Sequence, residues 1–359
     1  MKSQLNSRIV LLFSLILLFQ ACDWFGGEED KPQKKSTEFV FTVDTLKTLA
    51  QFQVNDLDVI DDTSFVVTGF FAEDDENGNT KNVYNQIWWG KKKGYEFKSE
   101  KLIGNNNNVY EIIALDYFEN KLDFYVFGAF SLVAIKSNNS YSYHYLGSNI
   151  NGDQSYEHAE LIRPGEFYLY GRNGSLVYYK DGRFTKIDTG TSLTLSHASK
   201  SNNDDDIYFY LSPKTPAQVI DSAFYTVGLL KVNQTNVVSK FNMSVLQQMD
   251  YPFFIQQLLI ENDSLFIYGN QGIYYYSESK PSIELIRNEL LSSASFINAN
   301  DGFSHLLGQI TYWQDGINYK QQLPNTIPLR DLYFMDYKNN RVTMINSSYN
   351  IITGIRRDE

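Results

Sequence analysis

The alternation of polar turns and apolar runs along this chain recurs. Seven stretches share it: DDTSFVVTGFF from Asp61, ENKLDFYVFGAF from Glu119, RPGEFYLYGRNG from Arg163, NDDDIYFYLS from Asn203, ENDSLFIYGNQG from Glu261, ANDGFSHLLGQ from Ala299 and YKNNRVTMINS from Tyr337. Each opens with turn formers and passes into aromatic and β-branched residues, the pattern of a strand entered from a tight turn. Gly69, Gly128, Gly171, Gly269 and Gly308 mark the end of five of them, and Leu211 and Asn346 take that place in the other two. The spacing is about 40 residues, stretching to about 60 twice, which is the period of a four-stranded propeller blade with two long insertions. The insertions fall near residues 72 to 85 and 212 to 226.

A further strand follows in most units, as in GSLVYYKDGRFTKID from Gly174, GIYYYSESKPSIELI from Gly272 and QITYWQDGINYKQQ from Gln309. Lys180-Asp181-Gly182 and Gln314-Asp315-Gly316 sit where two strands join, and Asp-Gly is the dipeptide a tight hairpin favours. Helical spacing of apolar residues is confined to a turn or two near 245–249 or 289–291. The pattern predicts an all-β chain folded as a β-propeller over 38–359. Seven blades fit best, and six or eight stay open. The last unit ends near Ile351 to Ile355, about one strand short of a blade, while EFVFTV from Glu38 to Val43 stands alone. Pairing the two joins the first blade to the last and hides an open edge.

Two stretches, GRNGSLVYYKDGRFTKIDTGT and NANDGFSHLLGQITYWQDGINYK, resemble repeat units of BNR-type and photosystem II assembly factor-type propellers. The second matches at Asn300, Gly302, Gly308, Ile310, Asp315 and Gly316. No unit carries the full S-x-D-x-G-x-x-W aspartate box, so the resemblance implies a shape and not an activity.

The first 21 residues break the pattern. Lys2 and Arg8 precede an apolar run from Ile9 to Phe19 that is too short to span a bilayer, the layout of a secretory signal peptide. Cys22, the only cysteine in the 359 residues, follows Ala21 where that run stops. Ala21-Cys22 behind an apolar run resembles the lipobox of bacterial lipoproteins, from whose consensus Phe19 and Gln20 depart. The resemblance implies cleavage before Cys22 and acylation of its thiol, and two or three chains at ~0.8 kcal/mol per buried methylene make a stable membrane anchor. Residues 22–37, with Gly26, Gly27 and Pro32 among many charges, read as a flexible acidic tether. Acids directly after the lipid-bearing cysteine resemble the surface-export signal of Bacteroidetes-type lipoproteins. The expected location is the outer membrane, on its outer or its periplasmic face.

The formal net charge is −11, and loss of the leader with its two positive charges makes it −13. A chain this acidic, with no basic run longer than Lys91-Lys92-Lys93, repels phosphate backbones, so nucleic acid is not an expected partner. With one cysteine, no internal disulfide forms.

Catalytic and metal motifs are missing. The histidines His144, His158, His197 and His305 lie far apart, without the short spacing of a zinc site. The acids Asp204-Asp205-Asp206 and Asp74-Asp75-Glu76 are oxygen-rich as calcium ligands are, but read first as solvated turns. Arg163, Arg172, Arg183, Arg287, Arg330 and Arg341 show no spacing that selects the arginine triad of the sialidases that share BNR repeats. No G-x-S-x-G and no glycine-rich phosphate loop occurs. In strands, rings such as Trp88-Trp89 and Tyr274-Tyr275-Tyr276 alternate between faces, so most belong to the core. The sequence therefore points to a lipid-anchored, non-enzymatic propeller that binds a protein or glycan of the cell envelope, with no cofactor and no metal. The competing expectation is a glycoside hydrolase or lyase with its site on the propeller face.

Overall fold

Runs of Tyr, Phe, Val and Ile between polar turns favour extended backbone throughout, because ring and β-branched side chains pack on a pleated surface. A computed structural model describes residues 36–357 apart from the segments 46–51, 60–63, 92–97, 102–111, 118–123, 129–131, 138–139, 146–155, 202–204, 213–227, 243–254, 325–331 and 347–349 and positions 164, 263 and 339. The leader, Cys22 and most of the tether lie outside the described residues, as do 245–249; residues 289–291 are not helical. For most of 68–145 the description is of the backbone course.

Twenty-eight strands form seven four-stranded antiparallel sheets among the described residues. In chain order they span 52–101 (sheet 1), 112–145 (sheet 2), 156–186 (sheet 3), 194–242 (sheet 4), 255–287 (sheet 5), 293–320 (sheet 6) and 332–356 (sheet 7). The fourth strand of sheet 7 comes from the other end of the chain: Phe39–Thr45 pairs with Asn350–Arg356, from Phe39 opposite Arg356 to Thr45 opposite Asn350. The extended run expected at Glu38 to Val43 thus completes the last sheet. The only helical element among the described residues is the single 3-10 turn Arg172–Gly174.

The seven stretches read from the sequence are the second strands of the seven sheets, for example Glu166–Gly171, Ser264–Gly269 and Arg341–Asn346. Three details differ from expectation. Gly69 lies inside its strand, Ser64–Asp74, and not at its end. Gly308 lies beyond its strand, in the turn after Leu306, at φ +84°. Residues 72 to 85 belong to one long hairpin, Ser64–Asp74 against Thr80–Lys91, whose strands outgrow those of the other sheets. Asp181-Gly182 and Asp315-Gly316 have the paired positive φ values of a type I′ turn, which gives a two-residue hairpin the right twist.

The first strand of each sheet neighbours the first strand of the next, and that of sheet 7 neighbours that of sheet 1. This cyclic order is a β-propeller, with the first strands around a central channel and the sheets packed face to face. Aromatic rings fill the spaces between sheets. Tyr168 of sheet 3 meets Phe209 of sheet 4 edge-on at 5.5 Å, and Phe303, Tyr312, Tyr337 and Phe39 form a cluster between sheets 6 and 7. Tyr274 and Tyr276 are core, as alternation requires, while Tyr275 meets the Ser264 hydroxyl at 3.0 Å.

A recurrent latch ties sheets 3, 4 and 6 near the turn between their first two strands. Glu166 accepts from Tyr178, Asp301 from Tyr312 at 2.8 Å, and Asp206 pairs with Lys231 at 2.9 Å and Asn233 at 2.7 Å. Burial raises the Glu166 carboxyl, yet the bonds from Arg163 and Tyr178 outweigh it and hold the group below the ordinary range.

Candidate functional site at the channel

Each first strand is hydrogen-bonded on one side only, so its other edge presents unpaired backbone groups to the channel. Side chains of the neighbouring first strand take up these groups. Val59 N–H donates to Asp336 at 2.6 Å, Tyr337 N–H to Ser295 at 2.9 Å, Phe296 N–H to Gln257 at 2.8 Å and Ala299 N–H to Glu261 at 2.7 Å. Asp336 is half-buried, and desolvation raises its pKa against the bond from Val59. These polar residues are spent on closing the ring.

A β-bulge recurs near the start of the first strand in sheets 1 to 5 and in sheet 7. The pairing slips between Val54 and Asp56, Ile112 and Ala114, Tyr156 and His158, Leu195 and His197, Ile255 and Gln257, and Leu332 and Phe334. A bulge inserts one residue and re-aims its neighbours. His158, His197 and Gln257 therefore occupy one structural position in three successive sheets. Together with Glu160, Ser196, Lys200 and Gln256 they line a cavity of about 510 Å³ between these strands.

Within it the two imidazoles lie nearly parallel, ring centres 6.5 Å apart, and Tyr170 backs His158 at 5.3 Å. Nδ1 of His197 meets Ser196 Oγ at 3.2 Å. Burial pushes the His158 imidazole down to about 4, and burial together with the neighbouring His158 pushes His197 down to about 3. Both rings are neutral at pH 7, each offering one donor and one acceptor. Lys200 donates to the Ile162 carbonyl at 3.3 Å. Gln257 is committed, its amide donating to and accepting from the Phe296 backbone at 2.8 Å each.

The remaining sequence candidates do not converge. His144 meets Ser142 at 3.3 Å in sheet 2, and His305 accepts from the Gly308 N–H at 3.1 Å in sheet 6. Arg163 pairs with Glu166 and Arg172 with Glu157, both within sheet 3, whereas Arg287 of sheet 5 lies over Trp313 at 4.6 Å and Arg341 of sheet 7 over Phe65 at 5.1 Å. Arg330 lies outside the described residues. Asp205 faces Arg163 at 3.8 Å and Asp206 faces Lys231, so these acids of the triplet serve ion pairs. Asp75 caps its own turn, accepting from Asn77 and Asn79 N–H at 2.9 Å, which lowers its pKa. No group of three or more His, Cys, Asp or Glu able to hold a metal occurs among the described residues.

By spacing alone the four histidines are unrelated, and the signal that links two of them is the repeat itself: His158 and His197 stand 39 residues apart, one unit.

No protein-family model matches the chain, and no curated protein matches it in sequence. Solved structures do match in shape. YCF48 bound to D1 peptide superposes with a TM-score of 0.60 at 11% identity, covering 88% of this chain and 97% of that one. Virginiamycin B lyase from Staphylococcus aureus gives 0.63 at 10% identity, covering 89% of this chain and 100% of that one. PorZ, described as an essential bacterial surface component of the type-IX secretion system of Porphyromonas gingivalis, gives 0.56 at 12% identity, with 88% of this chain covering 39% of that one. At such identities the likeness shows the β-propeller fold alone.

Proposed function

We propose that this chain is a seven-bladed propeller, lipid-anchored through Cys22 at the outer membrane, that binds a protein or glycan of the cell envelope without transforming it. Seven sheets among the described residues, with first strands that neighbour one another in a closed cycle, support the sevenfold reading. The observation that carries the binding role is the channel cavity, built from bulged positions of three successive sheets and holding polar groups that the ring closure does not consume. Its volume lies in the range of small-ligand pockets, ~300–1,000 Å³. YCF48 holds a peptide and PorZ is a surface component, and both uses of the fold agree with this reading.

The lyase likeness, which includes a catalytically inactive histidine variant solved with quinupristin, favours a second reading in which a channel histidine acts as a base. The pair argues against it. Imidazoles held at about 4 and about 3 are weak bases at neutral pH, where a general base works best with a pKa near 7.

A photo-cross-linking residue in place of Gln256, expressed in the native cell, tests the proposal. The expected result is a discrete envelope adduct that the same probe at Lys186, on an outer strand, does not give. Equal adducts from both positions, or turnover of an envelope extract by the purified chain, would overturn it.

A further inference from the structure

The channel cavity also indicates what kind of ligand enters it. Charge is balanced in its wall: Glu160 and Lys200 are the ionised side chains lining it, and the two imidazoles are uncharged. An ion entering would give up part of its water without meeting an uncompensated opposite charge, which carries a cost even in a cavity open to solvent on one side.

The polar groups left for a ligand are of one chemical kind. His158 makes no hydrogen bond among the described residues, and His197 is engaged through Nδ1, which leaves Nε2. Gln256, unlike its neighbour Gln257, makes no hydrogen bond to the fold among the described residues, and Ser196 adds a hydroxyl. Each presents donor and acceptor capacity side by side. The matching ligand carries groups that both give and accept within a few ångströms of each other, as vicinal hydroxyls do. Ala198 and Leu259 contribute apolar wall between these polar groups, suited to the C–H face of a sugar ring. A peptide has one donor and one acceptor per residue and brings side chains that need larger apolar subsites.

We propose that this cavity is a saccharide subsite that takes one or two rings of an uncharged glycan, held by His158, His197, Ser196 and Gln256. The inference rests on the binding role proposed above and narrows it from protein or glycan to glycan.

The test uses the full chain in detergent, titrated with cellobiose, N,N′-diacetylchitobiose and lactose, with glucuronic acid and the blocked tripeptide acetyl-Ala-Gln-Ala-amide for comparison. Binding is followed by saturation-transfer NMR and calorimetry. At least one neutral disaccharide is expected to bind saturably, about tenfold or more tighter than glucuronic acid or the tripeptide. His158→Phe keeps a ring but removes its nitrogens and should cost about tenfold or more in affinity. Gln256→Leu, at a residue without hydrogen bonds to the fold among the described residues, should do the same with an unchanged melting temperature, which guards against misfolding of the first variant. Saturable sugar binding that neither variant weakens would overturn the assignment, as would the absence of sugar binding. Preference for the tripeptide, lost in both variants, would sink the saccharide inference and leave the binding role standing. Hydrolysis of a disaccharide would overturn the non-enzymatic role instead.

Discussion

Replacing Phe39 by alanine should cost this protein about 3–5 kcal/mol of folding stability, the usual toll for deleting a buried aromatic ring. Phe39 opens the strand that completes sheet 7, opposite Arg356. Its ring is 8% exposed, lies 4.8 Å from Phe303 and 4.9 Å from Tyr312, and sits under the Arg356 guanidinium at 5.4 Å. Ring pairing and the cation contact each supply roughly 0.5–1.5 kcal/mol of the total, and area burial supplies the rest. Domains commonly hold about 5–15 kcal/mol in all, so the loss is a large share of what keeps the ring closed. Val40, next in the same strand and 48% exposed, is the control, and Val40→Ala should change stability by less than about 0.5 kcal/mol. Urea titrations of the three proteins at equal slope give the differences. A Phe39→Ala loss below about 1 kcal/mol, or one equal to that of Val40→Ala, would refute the idea that this strand is a working part of the propeller.

Three further outcomes are expected. The channel histidines make stability depend on acid. Their folded pKa values are depressed, so the unfolded chain binds more protons; stability is full above about pH 6.5 and is lost as pH falls toward 4. Two such groups give a slope approaching ~2.7 kcal/mol per pH unit. Glu160, Lys200 and Tyr170 line the same cavity as the pair. The raised Asp336 carboxyl opposes the trend, and the lowered Glu166 and Glu278 add to it at more acid pH. The double variant His158→Gln, His197→Gln should flatten the curve between pH 6 and 5, and an unchanged slope would contradict the burial argument. Gln257→Leu orphans the Phe296 backbone groups that its amide pairs with, and urea titration should show a loss of about 1–3 kcal/mol. Intact-mass measurement of the membrane-extracted protein should show a diacylglyceryl group on Cys22, and Cys22→Ala should release the chain from membranes; a membrane-bound alanine variant would contradict lipid anchoring.

The fold was legible because its rule is local. A polar turn followed by alternating rings, as in ENDSLFIYG from Glu261, fixes a strand and its partner within a dozen residues, and the same device repeated seven times marks the second strand of every sheet. Even the non-local pairing of Phe39–Thr45 with Asn350–Arg356 left a trace, an extended run without a neighbour at one end and a missing strand at the other. The site was not legible in the same way. Its residues sit on first strands, which pack against other first strands and vary more in character, from TLSHASK to IQQLLIE. What brings His158, His197 and Gln257 together is a bulge, and a bulge is a matter of register between strands that leaves no residue signature of its own. Gly308 misled for a related reason. Its sequence context matches the strand-ending glycines, yet in sheet 6 the strand ends at Leu306 and the glycine serves the turn.

The central claim is that the channel holds a half-buried, neutral pair of imidazoles open to a ligand. Ring-carbon NMR of the histidines across pH 7 to 3.5, with single His→Gln variants for assignment, tests it most directly. The account predicts that His158 and His197 stay neutral until the pH approaches about 4 and that both signals move when a ligand enters the channel. Ordinary titration of both near pH 6.5, with no response to any ligand that the protein binds, would contradict it.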